Sequence, residues 1–304
     1  MNKNISITVN LRANSNIVNL NEFLCHKYFK IELKIRIFER NFKSFSTLNC
    51  LMKEKKVLIP SRVNKKLHGI FYLTKEEDTL EKPPILIMCH GFTGDKSEWG
   101  RFPETAKALN KEGYDALTFD FSGSGENKRE PINLTKQAND LENVYSWVKK
   151  KGYTKIAVLG LSFGGLTTLK ANLQGLKTEI LWAPPLLLHS TEDQVDWFKD
   201  IDKGPVEIPS SGDYDPIIID MSFVMDVANF RIRPALKKHI TPTLIIQGTA
   251  DEQVPFELNK KAFSMMPQDD NHKFVEIQGA THDFEEKHLQ EFIEETISWL
   301  KKYF

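Results

Sequence analysis

This 304-residue chain predicts an α/β fold, a mostly parallel sheet with helices on both faces. Three observations carry that prediction. Short β-rich apolar runs alternate with longer stretches of helical period, the pattern of a sheet whose strands are joined by covering helices. One such junction, "VLGLSFGGLTTLK" at 158–170, passes from an apolar run directly into a helical pattern through a serine set among glycines. The composition, 40% hydrophobic and 11% aromatic, is ample for a large core.

Taken in order, the first 51 residues stand apart. They contain no Gly and no Pro and hold 8 basic against 3 acidic residues. Within them "FKIELKIRIF" alternates Phe29, Ile31, Leu33, Ile35 and Ile37 with polar partners, as a half-buried strand does. Two readings stay open for this N-terminal extension: a true added strand, or a chain whose translation begins at Met52. Neither assigns it chemistry.

The domain proper, 52–304, then shows strand-like runs in the order "KVLIP", "HGIFYLT", "PILIMCH", "DALTFDF", "KIAVLGL", "TEILWAP", "PTLIIQG" and "HKFVEIQG". Helical patterns such as "PETAKALNKEG" and "TKQANDLENVYSWVKKKG" separate them. The last, "EEKHLQEFIEETISWLKKYF", places Leu289, Phe292, Ile293, Ile297 and Leu300 on one face. Right-handed crossovers bring the C-terminal ends of parallel strands, and with them a ligand crevice, to one edge. One interval, about 186–241, is far longer than a single crossover helix needs, which predicts a small cap insert over that crevice.

Composition also excludes classes. Lys plus Arg and Asp plus Glu each total 41, so no net field attracts nucleic acid or an anionic membrane. Cys25, Cys50 and Cys89 lie far apart, without the short spacings of a zinc site or redox pair, so neither a metal nor a disulfide framework is expected. No apolar stretch is long enough to span a membrane, and the N-terminus does not read as a secretory leader. The cytoplasm is the expected compartment.

The serine motif carries the chemistry. Gly160-Leu161-Ser162-Phe163-Gly164 fits G-x-S-x-G between a strand and a helix, the context of a nucleophile elbow. Glycines are needed because the turn leaves no room for side chains, and the helix start favours the negative charge that develops beside the serine. A serine needs a base and an orienting acid. Asp251 follows "LIIQG" and His282 follows "VEIQG", each just past a predicted strand, and the order Ser, Asp, His is the one that accompanies this elbow. Glu252 and Asp283 compete for the acid's place, and Asp251 has an alternative as a helix cap near Pro255. His272, His288, His239 and His189 compete for the base, but only His282 sits in a glycine-led loop after a strand. "MCHGFTGD" places His90-Gly91-Phe92 after another strand, so the amides of Phe92 and Phe163 are candidates for an oxyanion hole.

With "DFSGSGEN" added, this set resembles the α/β-hydrolase superfamily over about residues 53–304. Within it the chain looks like small microbial carboxylesterases of the feruloyl or cinnamoyl esterase and monoacylglycerol lipase-like branch, whose cap also lies between the sixth and seventh core strands. The resemblance implies Ser162 as nucleophile, His282 as base and then acid, Asp251 as its orienter, Phe92 and Phe163 as amide donors, and no cofactor. It implies a small-molecule ester as substrate. Trp182 at a strand end and Trp197 in the cap are candidate walls of an aromatic or apolar acyl pocket, with core packing as the alternative. Residues 186–226 hold ten acidic and two basic residues, which is either an ordinary solvated acidic face or a feature that disfavours anionic substrates. An aminopeptidase using Glu192, Asp193 or Asp196, an acyl-thioester hydrolase, and a non-catalytic binder on the same scaffold are the rival readings.

Overall fold

In a computed structural model the described residues are 53–61, 65–75, 79, 81–187, 200–285 and 287–304. The run "FKIELKIRIF", Trp197, and the cap residues His189, Glu192, Asp193 and Asp196 lie outside them. Eight strands form the main sheet: β1 (Lys53–Pro60), β2 (Lys66–Leu73), β3 (Ile85–Cys89), β4 (Asp115–Phe119), β5 (Ile156–Leu161), β6 (Thr178–Trp182), β9 (Thr243–Gly248) and β10 (His272–Ile277). These are the eight runs expected from the sequence. Their spatial order is β1-β2-β4-β3-β5-β6-β9-β10. β1 and β2 are antiparallel to their neighbours, and every later pair is parallel.

Central strands are mostly apolar and wholly buried because both of their faces are covered. On β3 the alternation sorts the residues by face: Leu86 and Met88 pack with Phe102 and Leu109 of α1 (Arg101–Lys111) and with Phe292 and Leu300 of α7 (Lys287–Tyr303). Ile85 and Ile87 pack on the other face with Leu141, Val144 and Val148 of α2 (Leu134–Lys150). The expected stripe on α7 is realised, with Leu289, Phe292, Ile293 and Leu300 buried and Ile297 packed against them. α2 starts where Asn133 accepts the Lys136 N–H at 2.9 Å and ends on Lys149 and Lys150, favourable charges at the negative end of its dipole. β1 is last in the sheet among the described strands, is mostly exposed and begins "KEKK", charge that discourages pairing with other chains.

Between β6 and β9 the described part of the insert forms a small antiparallel pair, β7 (Val206–Ile208) and β8 (Ile217–Ile219). Helices α4 (Met221–Asn229) and α5 (Ile232–Lys237) follow. These short elements are not evident as sequence patterns, because three-residue strands are below the length at which alternation can be read. The insert is fastened to the core by backbone and side-chain bonds. Ile132 N–H donates to Ile218 O at 2.9 Å, Ser211 N–H to Thr93 O at 2.8 Å, and Arg129 Nε to Asp215 O at 2.9 Å. Thr135 Oγ1 donates to Asp226 Oδ1 of α4 at 2.6 Å.

Candidate active site

The parallel strands end level with one another. Cys89 pairs with Gly160, Leu161 with Trp182, Trp182 with Ile246, and Gly248 with Ile277. The loops after β3, β5, β9 and β10 therefore emerge at one edge, and each carries one of the residues singled out above.

Ser162 lies between β5 and α3 (Phe163–Ala171) with φ 50° and ψ −120°, a left-handed conformation that costs a non-glycine residue on the order of 1–3 kcal/mol. The fold holds it there by donation of its N–H to Trp182 O at 2.7 Å and by close backbone packing on either side. A Cβ on Gly160 would come within 2.5 Å of Gly164 O, and one on Gly164 within 2.3 Å of Cys89 O. Glycine is thus required at both flanks by contact with neighbouring backbone, not by φ.

His282 Nε2 lies 3.0 Å from Ser162 Oγ, and His282 Nδ1 lies 2.8 Å from Asp251 Oδ2. An ionised carboxylate only accepts, so Nδ1 carries the proton and Nε2 is left to accept from the serine hydroxyl. Asp251 is itself oriented: its Oδ1 accepts from the N–H groups of Gln253 and Val254 at 3.0 and 2.8 Å, and its Oδ2 accepts from Gln247 Nε2 at 2.9 Å. The rival acids Glu252 and Asp283 are exposed. Asp251 does not act as the side-chain cap of α6 (Phe256–Phe263), which has none. Of the rival histidines, His239 pairs with Glu179 at 2.7 Å and His272 with Asp269 at 2.7 Å, both away from Ser162.

Two loops are laced together to bring Asp251 and His282 into register. Thr249 N–H donates to Ile277 O and Ala250 N–H to Ala280 O, each at 3.0 Å, and a Cβ on Gly248 would meet Ala280 O at 2.2 Å. Beyond His282 the chain is anchored by Phe284, fully buried, stacked on Phe292 at 4.2 Å and edge-on to Trp182 at 5.6 Å. Trp182 is therefore not a wall of the crevice. It has no exposed surface, its Nε1–H donates to Thr296 Oγ1 at 2.9 Å, and it packs with α7, so the sequence expectation of substrate contact is corrected to core packing. A strand-end tryptophan reads the same in sequence whichever face of the sheet it takes.

The loop after β3 is built around His90. Phe121 N–H donates to His90 Nε2 at 3.1 Å, which puts the ring proton on Nδ1, and Nδ1 donates to Gly91 O at 2.8 Å. The rings of Phe92 and Phe163, whose amides are the oxyanion candidates, stand 5.8 Å apart. Phe223 of α4 closes a triangle with them at 5.2 and 5.4 Å. No sequence signal marks this phenylalanine of the insert. Nor does one mark Glu98 and Arg101, whose carboxylate and guanidinium are buried behind the same loop. Among the described residues no group of three or more His, Cys, Asp or Glu is disposed to hold a metal ion, and no helix is long and apolar enough to cross a membrane.

Sheet order, elbow and strand-end residues define the α/β-hydrolase class. Residues 84–175 match the family model described as alpha/beta hydrolase fold. The chain has the α/β-hydrolase fold and resembles microbial esterases. Est1E from Butyrivibrio proteoclasticus, solved with ferulic acid bound, aligns with a TM-score of 0.66 at 26% identity, covering 81% of this chain and 98% of that one. The monoacylglycerol lipase of Paleococcus ferrophilus aligns with a TM-score of 0.63 at 19% identity, over 78% and 99% of the two chains, a likeness of fold. In sequence, an uncharacterized 31.7 kDa protein of Escherichia coli is 30% identical over 105 residues, 33% of this chain and 36% of that protein. The lysophosphatidylserine lipase ABHD12 of Rattus norvegicus is 27% identical over 213 residues, 68% of this chain and 51% of that protein. The matches thus span between about a third and a half of these curated relatives.

Proposed function

We propose that this protein is a serine hydrolase that cleaves carboxylic esters of small, medium or aromatic acyl groups through an acyl-enzyme on Ser162. One observation carries the reading: Asp251 Oδ2, His282 and Ser162 Oγ stand in a line of contacts of 2.8 and 3.0 Å, with the serine held strained at a helix start. In this reading Ser162 Oγ attacks the ester carbonyl as its proton passes to His282 Nε2. Asp251 holds the ring in the required tautomer and stabilises the imidazolium. The carbonyl oxygen, now an oxyanion, takes hydrogen bonds from the amides of Phe92 and Phe163. Collapse expels the alcohol with the proton returned from His282. Water then repeats the sequence on the acyl-enzyme and releases the acid. Every step draws on side chains and amides of this chain.

Phe163, next to Ser162, packs against Phe92 and Phe223, an apolar neighbourhood that supports an uncharged acyl group over a carboxylate-bearing one. The similarity to Est1E, solved with ferulic acid, supports an aromatic acid among the acyl groups. The test is a panel of short- and long-chain p-nitrophenyl esters, a feruloyl ester, an acyl-CoA and a prolyl anilide, run on the wild type and on Ser162→Ala. Ester turnover is expected to fall by on the order of 10⁴ to 10⁶ in the mutant, and a fluorophosphonate to label Ser162. Turnover of the anilide alone would make the protein a peptidase, and labelling at Ser122 or Ser124 would move the nucleophile to "FSGSGEN".

A further inference from the structure

Behind the crevice lies a buried ion pair that the acyl-transfer steps above do not use. Glu98 is almost without exposed surface and Arg101 is buried, and their ion pair measures 3.1 Å between Oε1 and an Nη. The contacts that radiate from this pair end on backbone groups on both sides of Ser162. Glu98 Oε2 accepts the Gly91 N–H at 3.0 Å. Arg101 donates from its other Nη to Asp283 O at 3.0 Å, the carbonyl next to the base His282. Its Nε donates to Glu98 O at 3.2 Å, and its guanidinium lies 5.0 Å from the Phe284 ring that anchors the base's loop.

From these contacts we infer that Glu98 and Arg101 are positioning residues, a brace that fixes the oxyanion amide of Phe92 and the imidazole of His282 relative to each other. The inference rests on the proposed ester hydrolysis. In a trans peptide the C=O and the next N–H point in opposite directions. Gly91 O is pinned by His90 Nδ1 at 2.8 Å and by Gly94 N–H at 3.3 Å, and Gly91 N–H is pinned by Glu98. With both ends of Gly91 held, the direction of the Phe92 N–H is held too. Glu98 is thereby one bonded step from the oxyanion donor, and Arg101 one bonded step from the base.

The chain bends out of its preferred conformations to make this contact. Glu98 and Trp99 both have positive φ, 46° and 51°, a strain that surrounding contacts must offset. Gly94 leaves the space the carboxylate occupies, since a Cβ there would come within 2.3 Å of Glu98 Oε2. An apolar pair of similar volume would stabilise the same place at least as well as buried charges do. What it would lack is the bonds to Gly91 and Asp283.

Charge gives the brace a signature that packing alone would not. A carboxylate one residue from the oxyanion donor opposes the negative charge formed in the transition state, and Arg101 neutralises it. Burial also pushes the Glu98 carboxyl above the usual range, with the Arg101 charge and the Gly91 amide pulling it back down. Removing Arg101 alone should therefore harm catalysis more than removing both charges.

The experiment uses full-length protein and the p-nitrophenyl ester the wild type turns over, with active sites counted by fluorophosphonate titration. Glu98→Gln, Arg101→Met, Arg101→Lys and the double variant Glu98→Gln/Arg101→Met are compared. A misplacement of about 1 Å costs on the order of 100-fold, so kcat per titrated site is expected to fall about 10-fold in Glu98→Gln and about 100-fold in Arg101→Met. The double variant should recover part of the Arg101→Met loss. KM should stay within about 3-fold, because the oxyanion contact strengthens only in the transition state. Affinity for a trifluoromethyl ketone that forms the tetrahedral adduct should fall in step with kcat. Wild-type kcat and ketone affinity per titrated site in all four, with only the melting temperature lowered, would overturn the brace. If Arg101→Met or the double variant does not fold, Arg101→Lys decides, since it keeps the charge but not the fork that reaches both Glu98 and Asp283. A wild type that hydrolyses no ester and takes no label at Ser162 would instead overturn the proposed function.

Discussion

Replacing Lys96 by Met tests a buried ion pair that ties the loop after β3 to the core. The Lys96 and Asp120 side chains are almost completely buried, 5% and 0% exposed, with Nζ 2.7 Å from Oδ2. Asp120 also accepts the N–H of Lys96 at 2.7 Å and of Glu126 at 3.0 Å. Removing the ammonium leaves a buried carboxylate with two amides and no cation. Breaking such a pair costs about 3–5 kcal/mol, and the surviving amide bonds place this case near the lower figure. At about 2–4 °C per kcal/mol for a domain of this size, the melting temperature should drop by roughly 6–12 °C. The assay is urea and thermal unfolding of Lys96→Met, Asp120→Asn and the double variant at neutral pH. The double variant should recover about 2 kcal/mol relative to the sum of the singles, because neutral Asn no longer needs the cation. Additive losses within about 0.5 kcal/mol would refute the argument, since they would mean that the two charges do not compensate each other. The pH dependence has a fixed sign. Burial alone would lower the Lys96 pKa, but the charge of Asp120 and the hydrogen bonds to Asp120 and Glu126 raise it above the ordinary lysine value. A raised folded-state pKa means the contribution is complete below about pH 10.4 and fades only as pH climbs through the folded value.

Further outcomes follow from the same geometry. Gly164→Ala should cost at least about 3 kcal/mol or abolish folding, because its Cβ meets the Cys89 carbonyl at 2.3 Å. Gly279→Ala, with open space around it but φ 75°, should cost only about 1–2 kcal/mol, and urea unfolding separates the two. His282→Ala should lose nearly as much activity as Ser162→Ala and the double variant little more, measured as kcat per mole of folded protein, since groups acting as a unit are not additive. Buried His239 is held above its ordinary pKa by the Glu179 charge and hydrogen bond, which outweigh the lowering by burial. The stability this pair contributes is full below about pH 6.5 and lost as pH rises through the folded value, so the stability gap between wild type and Glu179→Gln should narrow as pH rises above about 6.5.

Local physics is legible in one dimension, and this sequence states it clearly. Alternating β-rich and helical periods specify the eight strands of the main sheet and the long helices, because burial on two faces demands continuous apolar runs and burial on one face demands a stripe. Gly160, Ser162 and Gly164 are readable for the same reason: a tight strand-to-helix turn imposes its residue types on a five-residue window. Asp251 and His282 are legible as strand-end residues, but their adjacency to Ser162 is a matter of strand order, which the sequence does not state. Only the packing of β5, β6, β9 and β10 side by side brings three loops to one edge and leaves Glu252 and Asp283 facing solvent. Trp182 shows the limit from the other side, since its place in the core depends on Phe284 of a loop and Phe292 of a helix, both more than a hundred residues later. Glu98 and Arg101 read as ordinary surface charges beside an exposed Trp99. Tertiary structure alone buries them, because the partners that satisfy them, the amide of Gly91 and the carbonyl of Asp283, belong to loops that no local pattern joins.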